Sequence, residues 1–292
     1  MILISLFTLA GIVVFVFLFY KGIDLDKTIN LDSKLVGQTR NSIGTYLACC
    51  FSITSALLVV YALVQQSIDR KKTEVRNHFF KMLDFHNDLV KQITVPSLEK
   101  AKAHIEEGRR AFVVFKIHIK RLLEVVKQSN MSNNFLLSEN QVIDAAYMMF
   151  FYGLDQKWKG FIIEKLSRYP NHIALVDDVL KRIEADDKYH LERTNQTYLG
   201  VYFRNMYNSI KMVDENHYLK IEEKKDLVKI LRAQISNPEL YVIFFNITSR
   251  FGKNWKKNKY IFTYEFIRNI PKGYLDGYEP NDYFPMRYEH EE

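Results

Sequence analysis

Uncharged, mostly apolar residues fill positions 2–20 (ILISLFTLAGIVVFVFLFY) and again positions 43–67 (IGTYLACCFSITSALLVVYALVQQS). A helix over 2–20 would reach about 28 Å at roughly 1.5 Å per residue, close to the ~30 Å hydrocarbon layer of a bilayer. A cleaved signal peptide would need a basic leader, a shorter apolar stretch and a small-residue cleavage site, and the first run has none of them. The pattern predicts two transmembrane helices, at about 2–20 and 43–66, forming a hairpin within residues 1–67. Gly44, Ala48, Ser52 and Ala56 recur at every fourth position of the second run. On a helix they make one stripe of small residues, which lets a neighbouring helix approach closely. That neighbour is either the first span of the same chain or, in a homo-oligomer, another protomer.

Beyond the second run the apolar positions fall into a helical period. Val75, Phe79, Met82, Leu83, Leu89, Val90 and Ile93 keep one face apolar, so the second span is expected to continue as a single helix until Pro96. Further helices are predicted over about 108–128, 154–168, 172–190, 196–215 and 220–236. Ser138-Glu-Asn-Gln141 reads as a capping box opening a helix that runs to Gly153. Asn237-Pro238-Glu239 opens another that ends at Gly252, with proline in its first turn. A short helix around 256–269 precedes PKGYLDGYEPNDYFPMRYEHEE, where prolines, glycines and an acidic end predict an irregular tail over 271–292. No stretch alternates as a strand should. The expected fold class is all-α, two N-terminal transmembrane helices followed by a cytosolic α-helical bundle domain over 68–270.

Composition agrees with a helical body and adds its charge. Hydrophobic residues make up 48% and charged residues 26% of the 292-residue chain, enough apolar material for a core and too little charge for disorder. With 11 glycines and six prolines the chain is poor in turn formers, which disfavours an all-β fold. The formal charge of +7 permits contact with anionic lipid or nucleic acid without demanding either. Basic residues are denser just after the second span (Arg70, Lys71, Lys72, Arg76) than between the spans (Lys21, Lys27, Lys34, Arg40). Positive residues stay on the cytoplasmic side, so both termini are expected there, with the Arg70–Arg76 cluster against lipid headgroups. Cys49 and Cys50 are adjacent, which does not suit disulfide geometry, and a reducing compartment fits.

Two stretches carry the candidate chemistry. In GVYFRNMYNSIKMVD (200–214), Leu199, Phe203, Met206, Ile210 and Val213 form an apolar stripe. Tyr202 and Tyr207 are expected on its flanks, with Arg204, Asn208 and Lys211 beyond and Gly200 leaving room beside Arg204. In KILRAQISNPELYVIFFNIT (229–248), Asn246 is the polar exception of a helix expected to be buried on most sides. A buried amide without a partner costs about 1–3 kcal/mol, so Arg204, Arg232 or Gln234 is expected to supply one. Tyr202, Arg204, Arg232, Gln234 and Asn246 are therefore the candidate polar centre.

Catalytic patterns are sparse. Helical ribonucleases of the HEPN type need an arginine and a histidine with four to six residues between them. Here Arg110 and His118 are separated by seven residues, and Arg168 and His172 by three. Asp186, Asp187 and His190, or Asp84, Asp88 and His86, could share a helical face, but each set lacks a further ligand, and no metal is expected. Phosphate-cradling glycine loops, serine elbows and CxxC pairs are missing, so no cofactor is expected. The basic, aromatic stretch NWKKNKYIFTYEFIR (254–268) is the best nucleic-acid candidate. It reads more simply as a helix burying Tyr260, Phe262 and Phe266, and nucleic acid is not expected as a partner.

YLGVYFRNMYNSIKMVDEN, LKIEEKKDLVKILRAQISNPELYVIFFNI, FFKMLDFHNDLV (79–90) and GRRAF (108–112) together resemble the phage abortive infection proteins of the AbiC type. The likeness runs over most of 75–252, and the paired N-terminal membrane helices agree with that family's layout. The resemblance implies a bacterial inner-membrane protein of anti-phage defence, triggered by a phage product or a partner defence protein. It supplies no reaction to map onto residues, and a membrane-tethered effector enzyme acting on RNA or nucleotides when infection triggers it stays open as the alternative. It also implies histidines at the places held here by Val201 and Asn205, which removes histidine-dependent chemistry from those positions.

Overall fold

The computed structural model describes Phe17 and residues 33–291. The span expected over 2–20 lies outside the described residues. The chain divides into two units, Met1–Thr73 and Glu74–Glu292. Helix accounts for 69% of residues and strand for 3%, so the protein is mostly helical.

Helix α1 (Ser33–Gln92) provides the regular structure described continuously from residue 33 in the first unit and the first element of the second. It begins ten residues before the apolar run and ends just short of Pro96, because no proline or glycine pair interrupts it. Among the described residues it is the one helix long and apolar enough to cross a membrane. Between Ile43 and Val64 most of its large apolar side chains are exposed, Tyr46, Leu57 and Leu63 among them. The hydroxyls of Thr45, Ser52 and Thr54 donate to the carbonyls four residues earlier, each at 2.8 Å. Helix hydroxyls satisfied in this way need no water. Cys49 and Cys50 are free thiols exposed on this stretch.

In the second unit, a two-stranded antiparallel ribbon follows, β1 (Thr94–Pro96) on β2 (Ile105–Glu107). No alternation announced these strands, since three residues are too few to display a period of two. Next come α2 (Ala111–Asn133), α3 (Glu139–Tyr152), α4 (Lys159–Lys165), α5 (His172–Glu184), α6 (Gln196–Asp214), α7 (Ile221–Arg232) and α8 (Asn237–Thr248). Helix α2 packs against α3, α5 and α8, and α3 also packs on α8. Both α3 and α8 open on capping boxes, Ser138 with Gln141 and Ser236 with Glu239.

These two helices are the centre of the core. Every residue from Val142 to Phe151 and from Glu239 to Thr248 is buried. Each therefore carries buried polar groups that must be partnered. Tyr147 of α3 and Asn246 of α8 solve this together, the amide nitrogen donating to the phenol oxygen at 3.0 Å. Asn246 thus finds its partner in Tyr147 rather than in Arg204, Arg232 or Gln234. The long-range pairing of α3 with α8 explains why the sequence did not reveal it.

The helix expected over 256–269 is broken. A 3-10 turn (Arg250–Gly252) leads into α9 (Lys253–Lys257) and α10 (Tyr260–Thr263), separated by Lys259 in the left-handed region at φ 56°. Tyr260 and Phe266 are buried as expected, but Phe262 is 43% exposed because the chain turns again at Glu265, φ 48°. The tail contains α11 (Pro280–Tyr283) and is otherwise irregular, yet it is not loose. Leu275, Phe284 and Tyr288 are buried in the core.

Candidate functional site

Helix α6 is set on the end of α3 by backbone and side chain together. Asn195 accepts α6's first turn and donates its amide nitrogen to the Phe150 carbonyl at 2.8 Å. The same nitrogen lies 3.1 Å from His118 Nδ1. Gly153 closes α3 at φ 84°, and a Cβ there would lie 2.8 Å from the Glu192 carbonyl, so only glycine lets the 192–194 segment pass so close.

On one side α6 faces a cavity of about 540 Å³. Gln196, Thr197, Gly200, Phe203, Arg204 and Tyr207 come from α6. Phe151 comes from α3, Asn246 from α8, Phe251 from the 3-10 turn, and Asn254 and Trp255 from α9. The aromatic part is tightly built: Phe151 and Phe251 have ring centroids 4.7 Å apart, and Tyr207 lies 5.6 Å from Trp255. Arg204 is the one charged lining residue. Its Nε donates to the Gly200 carbonyl at 2.9 Å, which fixes the guanidinium at the rim. Gly200 leaves space there, since a Cβ would come no nearer than 3.9 Å to Arg204 Nη2 and Phe151 Cζ.

On its other side α6 faces α1. Tyr202 was expected at the flank of the stripe but is completely buried, because α1, α2 and α8 all close over it. Its ring lies 4.7 Å from His86 and 5.0 Å from Phe112, and its hydroxyl donates to Glu239 Oε1 at 3.2 Å. Burial first, and then the Glu239 charge, hold the Tyr202 phenol well above its ordinary value. Glu239 accepts from the Ser236 amide at 2.8 Å and has Arg109 Nε at 3.7 Å. Arg109 also donates to the Gln234 carbonyl at 2.7 Å, and Asn87 donates to the Gln234 side chain at 2.8 Å. Asn205 donates to the Met82 carbonyl at 3.2 Å.

The five predicted residues therefore separate into three places. Arg204 and Asn246 share the cavity. Tyr202 and Gln234 belong to the Glu239–Arg109 network beside α1. Arg232 stands apart and holds the C-terminal segment, donating to the Glu265 carbonyl at 2.8 Å with Glu289 at 3.8 Å. Of the basic cluster, Arg76 pairs with Glu223 at 2.7 Å. Arg70, Lys71 and Lys72 belong to the first unit and also have interaction partners. Asp186 is used in a turn, accepting from the Lys188 amide at 2.7 Å, and His190 Nδ1 lies 3.0 Å from Glu192.

Sequence reasoning missed a second polar centre. Asp144 of α3 binds Arg250 through the backbone amide at 2.7 Å and the guanidinium Nη2 at 2.5 Å, and accepts from the Tyr169 hydroxyl at 2.5 Å. Burial pushes this carboxyl up, but the hydrogen bonds from Arg250 and Tyr169 outweigh it and hold it below its ordinary value. A lone acid inside VIDAAYMMFF was the available signal, because a buried carboxylate in an apolar run must have a cationic partner.

No curated protein and no solved structure matches the chain. The pieces at 79–90 and 108–112 that carried part of the earlier likeness lie outside the one matching stretch. That stretch, residues 194–275, contains every cavity-lining residue except Phe151, together with Tyr202, Gln234 and Glu239, and it matches the model of the family described as putative phage abortive infection protein.

Proposed function

We propose that this is a membrane-anchored anti-phage defence protein of the bacterial inner membrane, whose helical body receives a sign of infection at the Arg204 cavity and passes it to α1. One observation carries the reading. Helix α6 lines the cavity with Arg204 and, on its other side, holds α1 through Tyr202 on His86 and Asn205 on the Met82 carbonyl. A small rotation of α6 would therefore be felt at α1, the helix whose earlier part is apolar and exposed. The family match supports the defence role, and the uncharged runs at 2–20 and 43–66 support a two-span anchor with both termini cytoplasmic. A phage product or a partner defence protein would be the source of the signal, and the small-residue stripe from Gly44 to Ala56 is suited to passing it between protomers.

The direct test is Arg204→Ala in cells challenged with phage. Arg204 is exposed and, among the described residues, its side chain hydrogen-bonds only to its own helix, so removal leaves the core intact. Protection should fall to the level of cells lacking the protein, while expression and membrane insertion stay unchanged. A fully protective variant would remove the cavity from the mechanism.

A further inference from the structure

We infer that the Arg204 cavity binds a nucleotide, with the base against the aromatic wall and the phosphate at the guanidinium. The inference rests on the proposed sensing role of this cavity and names the chemistry of what it takes.

Three features of the lining converge. First, the half-buried rings of Tyr207 and Phe251, backed by the buried Trp255 and Phe151, give aromatic surface of the kind on which any base stacks. Second, amides ring that surface. The side chains of Gln196 and Asn254 make no hydrogen bond to the described residues, and Asn246 uses its amide nitrogen on Tyr147, leaving its oxygen to accept. Amide groups pair with the mixed donors and acceptors of a base edge, which an aliphatic acid lacks. Third, the lining holds a single cation and no carboxylate. An ammonium-bearing ligand would find no counter-charge there, whereas a phosphate would meet the guanidinium fork of Arg204.

The size agrees. At about 540 Å³ the cavity lies within the ordinary range for small-ligand sites. The Asp144 cavity is larger, about 640 Å³, and richer in cations, with Arg168, Arg250, Lys253 and Lys256. However, Arg250 and Arg168 are already committed to Asp144, and Lys256 donates to the Thr248 carbonyl at 2.8 Å. Among the described residues the Arg204 guanidinium has no such carboxylate.

The chain supplies its own reporter. Its two tryptophans are Trp158 and Trp255, and the second lines the cavity. With Trp158→Phe in the full chain in detergent micelles, Trp255 emission is titrated with the four ribonucleoside 5′-monophosphates, the matching nucleosides, inorganic phosphate and a short single-stranded RNA. At least one monophosphate should change the emission saturably. Its nucleoside and inorganic phosphate should bind at least tenfold more weakly. Arg204→Ala should weaken binding by about tenfold to a hundredfold, the range for hydrogen bonds to a charged group. Gly200→Ala, which introduces no clash, should weaken it as well by narrowing the space beside Phe151.

No response to any monophosphate at millimolar concentration would overturn the inference. So would equal binding of nucleoside and nucleotide, RNA binding without monophosphate binding, or unchanged affinity in Arg204→Ala. The proposed function fails separately. If nucleotides bind but Arg204→Ala still protects, the sensing role is wrong and the binding site stands. If Arg204→Ala abolishes protection while no nucleotide binds, the ligand class alone is wrong.

Discussion

His118 and His86 are both buried, and each is kept neutral by a different neighbourhood. Asn195 donates to His118 Nδ1, so the proton of this imidazole sits on Nε2, which donates to the Leu191 carbonyl at 3.2 Å. His86 has its Nδ1 buried without a partner among the described residues, and its ring lies on Tyr202. Burial lowers both to about 4, helped at His86 by the positive charge of Arg109. The folded values lie below the unfolded value of 6.5, so the unfolded chain takes up protons first as the medium acidifies. Stability from these groups is complete above pH 6.5 and is lost as pH falls toward 4, by about 3 kcal/mol for each histidine. The thermal midpoint in detergent should fall across that window. His86→Leu, which removes one titrating group and an unpaired nitrogen, should reduce the fall by roughly half. A midpoint that is flat between pH 6.5 and 4 in the parent chain would contradict the neutral assignments. Neither tautomer nor partner could be read from the sequence, because Asn195 and Leu191 reach His118 only through the fold.

At the scale of elements, local signals and local structure agree best where the chemistry is local. The capping boxes at Ser138 and Ser236 open α3 and α8, and proline-free periodicity carries α1 to Gln92. Where distant segments decide, the sequence is silent. The 256–269 stretch has a helical period but breaks at Lys259 and Glu265, so that Trp255 and Phe266 can stack at 5.1 Å. The tail's prolines and glycines marked its irregular path. Its aromatics were the overlooked sign that it would be buried. The turn after α8 is the most constrained of these junctions. A Cβ on Gly252 would lie 1.9 Å from the Ile247 carbonyl oxygen, a backbone atom that cannot swing aside. Gly252→Ala should therefore push the 3-10 turn off α8 and cost about 1–3 kcal/mol or more, as other forced core overlaps do. Since Phe251, Asn254 and Trp255 leave with the turn, Trp255 emission should shift red in the same variant. Wild-type stability and emission would show that the turn adapts.

For the whole molecule, the question is whether attachment matters to the work. The second unit, from Glu74, has its own core, and a chain beginning at Lys71 should fold cooperatively and remain in solution. If α1 must carry the signal to the bilayer or to an oligomer, that chain should give no protection against phage despite normal folding. A membrane-tethered effector enzyme would instead keep protecting, or become toxic, when released. The mostly helical class and the apolar part of α1 were legible because their periods are long and uninterrupted. Gly200, Arg204 and Tyr207 lie on consecutive turns of one helix, so their shared edge could be read from spacing alone. Asn246 was named as the polar exception of its helix, whereas Phe151, Phe251 and Trp255 were not legible, because they come from separate elements that only packing brings to α6.

The two thiols on α1 have a practical consequence. Cys49 and Cys50 are the only cysteines in the chain, both are exposed on its most apolar stretch, and successive helix positions point about 100° apart. Nature has thus supplied paired labelling handles within the proposed anchor, aimed in different directions. Maleimides of graded polarity, applied to intact cells, could map depth and lateral contact there without a single engineered residue.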